Sequence, residues 1–521
     1  MTERSARFVL AVDLGTGGPK VALVGTDGRV VGSEFESVEL LLLGGGGVEQ
    51  RPADWWAAIV TAARRLLARD LVPVEQVVAI ACTGQWSGTV AVDRDGTPLM
   101  NAVIWMDTRG SDEVRRIIRG TPSVSGYGLV KARKWIRATA GVPGRAGKDP
   151  IAHILFIRRE CPDVYAATYK FLEPVDWLNQ QFTGRFVASY DSIATHWVTD
   201  NRDVHAVRYD DELLRLAEIE RRHLPDLVPS ASVVGTIRPE LAAELGLLPT
   251  VEVVTATGDV HSAAVGSGAV ADFATHLYIG TSSWITCHVP FKKTDLFRNI
   301  CSLPSAIPGR YLVADEHETA GVCLTFLEEN LGLGEGSLEA TEALAASVPP
   351  GSRGVMFTPW LSGERTPVDD ATIRASFVNL SLETTREDLV RAVYEGVAFN
   401  TRWLLETVER FVGRRLDPIT LIGGGARSDL WCRIHADVLD RTVLQAADPV
   451  LANVRGAGLL AGVALGDRTV DEIDGSVEIL ATHGPNAVPQ PVYDAMYAEF
   501  VELYDKTKGV FRRLNRGTGP R

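Results

Sequence analysis

The chain has little of what staples a fold or ligates a metal. Six cysteines, Cys82, Cys161, Cys287, Cys301, Cys323 and Cys432, are scattered through 521 residues, and none forms a C-x-x-C or another metal-ligand spacing. They read as mostly buried thiols in a reducing compartment. No apolar run approaches the ~18–20 residues that cross a bilayer. The N-terminal MTERSARFVL lacks the long apolar core of a secretory signal. A cytoplasmic protein with no membrane partner is therefore expected. A long basic block is also missing: 53 Lys and Arg face 66 Asp and Glu, for a net charge of −13. That balance argues against nucleic acid and anionic membranes as partners. It leaves ATP open, because local backbone donors can hold phosphate against an unfavourable global field.

What is present is ordinary globular composition, 45% hydrophobic and 23% charged, at a length that favours two large domains over one core. The organising stretch is Phe8–Val24, FVLAVDLGTGGPKVALV. An apolar run ends in Asp13; Gly15, Thr16, Gly17 and Gly18 make a turn; Pro19 and Lys20 lead into a second apolar run. Asp27-Gly28 signals a further hairpin. A dinucleotide fingerprint or a P-loop would open a helix after its glycines, and this turn opens a strand. A β-hairpin is predicted whose backbone N–H groups and Thr16 hydroxyl can approach phosphate. Asp13, at the strand end, can hold a hydrated Mg²⁺. An ordinary tight hairpin satisfies the same residues.

The turn recurs. His276–Val289, HLYIGTSSWITCHV, places Gly280-Thr281-Ser282-Ser283 between β-rich flanks, so that IGT at Ile279–Thr281 repeats LGT at Leu14–Thr16. Two copies half a chain apart suggest two similar domains that each offer a turn to one polyphosphate. With Asp13-Leu14-Gly15-Thr16 and Gly280-Thr281-Ser282 as its two phosphate turns, the chain resembles the FGGY carbohydrate kinases. The resemblance implies an α/β chain with the two-domain actin- and hexokinase-like ATPase fold, built from ribonuclease H-like domains around a cleft. It implies an N-terminal domain over 1–268, with the sugar site and first turn, and a C-terminal domain over 269–521, with the second turn and the adenosine site.

Val77–Cys82 reads as a buried strand ending in Thr83-Gly84-Gln85-Trp86-Ser87-Gly88, and Ile104-Trp105-Met106-Asp107-Thr108-Arg109 is a second polar cluster after apolar residues. Gln, Trp, Asp and Arg at strand ends make a poor core. They suit a hydroxyl-rich ligand, which needs paired donors and acceptors beside an aromatic wall. A surface loop with a solvent ion pair is the plain alternative. The resemblance makes Gln85, Trp86, Ser87, Trp105 and Asp107 sugar-contact candidates, with Arg109 orienting Asp107. Glu252–Ala256 is a β-branched strand that ends at Thr257-Gly258-Asp259, ahead of a run of small residues. A carboxylate there can accept a proton from an attacking alcohol, and on the residues alone it equally reads as a helix N-cap. The resemblance selects the base, and also makes Asp259 a metal contact.

Further along, Phe357–Pro367 (FTPWLSGERTP) and Arg391–Phe399 (RAVYEGVAF) match the family's second signature and the helix after it. Ile419–Ile422 is a strand followed by Gly423-Gly424-Gly425, whose missing side chains leave room for a flat purine. GGGARSDLW resembles the family's adenosine segment along its whole length. ATP contacts are expected from Gly15, Thr16, Lys20, Gly280, Thr281, Ser282, Gly424, Gly425 and Asn453. Asn453 opens NVRGAGLLAG, a small-residue helix expected to pack behind the nucleotide. The implied reaction is Mg²⁺-ATP-dependent phosphorylation of a sugar or polyol hydroxyl, with a homodimer as one assembly. GQWSG and WMDTR look most like xylulose kinases, whereas Asp259-Val260-His261 is similar to the Asp-x-His of ribulose kinases. Ser87 and Val260 depart from the xylulose pattern, which usually has a histidine and an amide there. Two rivals from other classes are an actin- or chaperone-like ATPase with no small acceptor, and a catalytically silent sugar sensor. The tail beyond Phe511 is expected to fray.

Overall fold

The computed structural model describes residues 6–296 and 298–515, so the end of the tail, 516–521, lies outside the described residues. The two predicted hairpins are present. Phe8–Gly15 pairs antiparallel with Gly18–Gly25, and Thr275–Ile279 with Ser283–Val289. Each hairpin seeds a sheet of the same layout. In the first, Val30–Phe35 continues the antiparallel side. Val77–Gly84 and Glu252–Gly258 add in parallel on the other side, and Val233–Thr236 closes that edge antiparallel. In the second, Tyr311–His317 continues the antiparallel side, followed by Ile300–Pro304 and Thr294–Asp295. Ile419–Ile422 and Val443–Ala446 add in parallel, and Ile479–His483 closes antiparallel.

Both faces of the first hairpin are buried, which is why its strands read as continuous apolar runs and not as alternation. Leu10, Val12 and Leu14 point into a core with Trp55, Ile59, Trp177 and Phe182, supplied by the helices Pro52–Leu67 and Pro174–Thr183. Val9, Ala11, Ala22 and Val24 point the other way, onto Val454, Ala457 and Ala461. These last residues belong to the helix Ala452–Ala464. This helix was expected to pack behind the nucleotide. It crosses to cover the first sheet, because its small residues permit very close approach. A Cβ on Gly456 would lie 1.9 Å from the Ser262 carbonyl oxygen, and one on Gly266 would lie 1.8 Å from that of Ala452.

The second sheet packs on the helix Arg386–Val412, which opens with a Thr385/Asp388 capping box and holds a buried Arg391–Glu395 pair at 2.7 Å. Between Gly84 and Val233 the first half carries a large excursion with its own core around Trp135, Ile154, Phe171 and Leu213. Trp135, within the charge-rich segment 131–137, is fully buried in it. The Leu40–Gly47 stretch forms a strand, Leu41–Leu43, and a tight 3₁₀ turn over its glycines. No helix among the described residues is long and apolar enough to cross a membrane.

Candidate functional site

The parallel strands Phe8–Gly15, Val77–Gly84 and Glu252–Gly258 end in register, with Leu14 beside Gly84 and Gly84 beside Gly258. Their carboxyl ends share one edge, the usual place for a ligand in such a sheet. Asp13, Gln85 and Asp259 are thereby gathered from residues up to half a chain apart. Gly258 serves as the N-cap of the helix Asp259–Gly266, so Asp259 does not fill that role. Asp259 is the first helical residue, and its Oδ1 accepts from the Val260 N–H at 2.8 Å. A 2.6 Å hydroxyl bond between Thr83 and Ser262 pins this helix to the neighbouring strand. Desolvation first and the nearby Asp13 carboxylate second push Asp259 up to about 7. Burial also raises Asp13, offset by Lys20 and by a hydrogen bond from Asn453.

Asn453 thus faces Asp13 and donates to its carboxylate. Lys20 lies opposite Asp13 in the hairpin register, and its ammonium donates to the Val450 carbonyl at 2.8 Å. The Asp13 Oδ1 is buried and has no partner. A cation or its hydration water fits that lone oxygen. No cluster of three or more His, Cys, Asp or Glu side chains suited to a metal is found among the described residues, so a metal here would take most of its ligands from water and phosphate.

On the sugar side, Gln85 is buried. Its Nε2 donates to Gln50 Oε1 at 2.8 Å, and its own Oε1 has no partner. Trp86 donates Nε1 to the Ser192 carbonyl and meets the His261 ring edge-on at 4.9 Å. It leans over Gly258, where an added Cβ would sit 3.0 Å from its Cγ. Ser87 follows with φ at +62°. Trp105 donates Nε1 to the Thr16 hydroxyl at 3.0 Å, so the aromatic wall and the first phosphate turn are one unit. Asp107 is different. It has no exposed surface, and its oxygens accept from the N–H groups of Val48 and Arg109 and from the Arg109 guanidinium. Through these bonds Asp107 holds the loop and Arg109 in place.

On the nucleotide side, Thr281 is exposed and Gly280 and Ser282 are half-buried. The N–H groups of Ala320 and Gly321 donate to the carbonyls of Thr281 and Gly280 at 2.9 and 2.8 Å, bracing the turn from below. Gly424 is exposed, and an added Cβ would meet nothing nearer than 4.0 Å. Gly425 is packed: its Cβ would lie 2.5 Å from Ile279. The open face is therefore at Gly424, while Gly425 serves the fold.

Three participants escaped the sequence reading. Gln50 donates to the Thr16 carbonyl at 2.8 Å while accepting from Gln85 and Trp55, joining the phosphate turn to the sugar side. Tyr278 stacks on Trp284 at 3.8 Å, and the carboxylates of Asp13 and Asp259 help to raise its hydroxyl to about 12, after burial. Gly321 braces the second turn, with room for no side chain because a Cβ would lie 2.3 Å from the Gly280 carbonyl. Only Gln50 left a signal, as a polar residue just before a Pro-initiated helix.

Comparison with known proteins agrees with this geometry. The N-terminal domain of the FGGY family of carbohydrate kinases matches residues 8–266, and its C-terminal domain matches residues 279–465. A xylulose kinase of Staphylococcus epidermidis is 29% identical over 510 residues, covering 96% of this chain and 97% of the relative. The structure of a xyloylose kinase from Brucella ovis superposes with a TM-score of 0.85 at 26% identity, over 97% of this chain and 100% of that one. A gluconate kinase from Lactobacillus acidophilus gives 0.86 at 22% identity, over 98% and 100%. The fold is the two-domain actin-like ATPase fold, and its two hairpins carry the two glycine turns at Gly15 and Gly280. With both domains matched in order, over residues 8–266 and 279–465, the chain belongs to the FGGY family of carbohydrate kinases.

Proposed function

We propose that this ATP-dependent sugar kinase phosphorylates a hydroxyl of a ketopentose of the xylulose type, with Asp259 as general base. The observation that carries the assignment is Asp259 itself: a strand-end carboxylate at a helix start, facing the cleft, with its proton affinity raised to about 7. A base so tuned takes a proton from an alcohol near neutral pH without being idle in the acid form. The Asp259 carboxylate accepts the hydroxyl proton as the sugar oxygen bonds to the γ-phosphorus. The bond from that phosphorus to the β–γ bridging oxygen breaks, and ADP leaves. Thr16 and Thr281 offer hydroxyl and backbone donors to the moving phosphoryl group, one from each lobe. Mg²⁺ brought with the nucleotide would neutralise phosphate charge beside Asp13, whose unpartnered Oδ1 supports that placement. The sugar lies against Trp86 and Trp105, with Gln85 Oε1 free to accept from one of its hydroxyls. The purine lies at Gly424. Residues 1–268 then serve the sugar and the first turn, and 269–521 the second turn and the adenosine, with the helix Ala452–Ala464 crossing back.

Relatives named xylulose kinase support the acceptor class. A ribulose-type acceptor is the second reading, favoured by His261, which is buried with both ring nitrogens unpartnered beside Trp86. A coupled ADP-release screen over ketopentoses, ketohexoses, sugar acids and polyols decides between them. ATP turnover indifferent to every acceptor would sink the kinase assignment.

A further inference from the structure

The two phosphate turns are joined through a side chain that neither turn contains. Lys148 lies in the excursion of the first half. The next residue, Asp149, fixes its backbone, with Oδ2 accepting from the Gly144 N–H at 2.6 Å and from Trp197 Nε1 at 2.8 Å. The Lys148 ammonium reaches Glu318 of the second half at 3.3 Å. Both side chains are partly exposed, 26% and 22%, so added salt still weakens their attraction. The same ammonium lies 5.9 Å from the centroid of the Trp105 ring, within cation–π range.

Each partner leads to a turn. Trp105 donates to the Thr16 hydroxyl. Glu318 stands two residues before Ala320 and Gly321, whose N–H groups brace Thr281 and Gly280. Glu318 is itself held on the far side. Its Oε1 accepts from Arg365 Nη2 at 3.0 Å, its N–H donates to Glu364 Oε1 at 3.2 Å, and Arg365 is paired further with Glu316. The charges facing Lys148 are thus Glu318 and Asp149 in attraction and Arg365 in repulsion. A contiguous chain runs Thr16–Trp105–Lys148–Glu318–Gly321–Gly280, and its single link between the halves is the ion pair.

We propose that Lys148 is a positioning residue that couples closure of the cleft to the alignment of both phosphate turns, by bridging the Trp105 wall to Glu318. This rests on the sugar-kinase reading above. A bound sugar touching Trp105 favours the arrangement in which Lys148 meets Glu318, which sets the second turn over the acceptor. Removing the charge lowers the population of the aligned state. The apparent sugar affinity then falls in proportion, while saturating sugar restores most of the rate.

The test uses the full chain, with ADP release measured as sugar and ATP are varied. Lys148→Met keeps the stem and removes the charge, and Glu318→Gln removes its partner. Each is expected to raise the sugar KM about tenfold and to change kcat less than about threefold. The double variant is expected to be no worse than either single, because both remove one contact. Lys148→Arg is expected to recover most of the loss. Raising the ionic strength is expected to raise the sugar KM of the wild type and to leave that of Lys148→Met flat. An unchanged KM in either single variant, multiplicative effects in the double, or a wild-type KM indifferent to salt would each overturn the proposal. If Lys148→Met does not fold, Glu318→Gln and the salt series decide. A wild type that phosphorylates no acceptor fails the functional reading first, whereas normal phosphorylation with a normal Lys148→Met KM fails this proposal alone.

Discussion

Replacing Asp259 by asparagine separates its chemical cost to the fold from its chemical use. The side chain keeps its shape and its oxygen for the Val260 N–H, but it can no longer take a proton. A positioned acid–base group contributes roughly 10²–10⁴-fold, so kcat is expected to fall by that factor. Stability is expected to move the other way. The folded protein raises this carboxyl from its ordinary 3.8 to about 7, chiefly by burial and then by Asp13. Between those values the folded state binds the proton more tightly than the unfolded chain does. Stability is therefore lost as pH rises through this window, and the penalty is complete above about 7. At 1.36 kcal/mol per pH unit, the ceiling is roughly 4 kcal/mol. Asp259 is partly exposed to the cleft, and solvent screening reduces this to on the order of 1–2 kcal/mol. Asp259→Asn without ligands should therefore unfold at a higher temperature than the wild type at pH 8, with little difference near pH 4, where both forms are largely uncharged. Calorimetric scans at the two pH values, beside ADP release at pH 8, check both halves. A near-wild-type kcat would show that Asp259 only opens its helix. A variant equally inactive but less stable at pH 8 would refute the burial argument.

Four further outcomes are expected. In wild type, kcat/KM should rise with pH and level off above about 7, as Asp259 loses its proton, and Asp13→Asn should move that limb to lower pH by removing the neighbouring charge, whatever it does to the maximum rate. Gly424→Phe projects into open space and should raise the ATP KM with little effect on sugar binding or on thermal unfolding. Equal loss of both ligands would count against the division of the cleft. Gly456→Ala should lower stability by about 1–3 kcal/mol in denaturant titrations, since its Cβ has no room against the helix Asp259–Gly266. The double change Ser87→His with Val260→Asn should raise kcat/KM for D-xylulose relative to the best native acceptor. The +62° φ at Ser87 is one that histidine tolerates, and wild-type preference for D-xylulose over every other sugar would show that these positions do not set specificity.

How much of this was legible in the sequence follows from the range of each interaction. The hairpins were readable because a turn of small residues between two β-branched runs is a local pattern, and its repetition at Gly280 pointed to two lobes. The internal donors to Asp107 were not legible, because one of them, the Val48 N–H, lies 59 residues away. The bond from Asn453 to Asp13 left no local sign, because Asn453 lies in a helix of the second half and Asp13 in a strand of the first. The crossing of Ala452–Ala464 had a local cause, its run of small residues, but no local sign of which surface would receive it. Tyr278 was hidden inside an apolar run. Lys148 had no motif at all.

The shared layout explains why the two lobes differ in chemistry while agreeing in backbone. Gly84 and Gly423 hold equivalent places at the ends of the first parallel strands. A Cβ on Gly84 would lie 2.6 Å from the Leu14 carbonyl, and one on Gly423 would lie 2.5 Å from the Ile279 carbonyl. Both glycines are required by the same close approach of strand end to turn, so the architecture demands them irrespective of ligand. The freedom lies one step to either side. After the glycine, the first lobe has Gln85, with an oxygen free for a hydroxyl, and the second has Gly424, with empty space. Before the turn, the first lobe pairs Asp13 with Lys20 across the hairpin, and the second pairs Tyr278 with Trp284 as a stack. One lobe thus brings charge and hydrogen-bonding capacity to the cleft, and the other brings flat surface and room. If, as proposed, a polar acceptor and a nucleotide meet between the lobes, a contact such as Lys148–Glu318, remote from the reacting atoms, gains leverage over them.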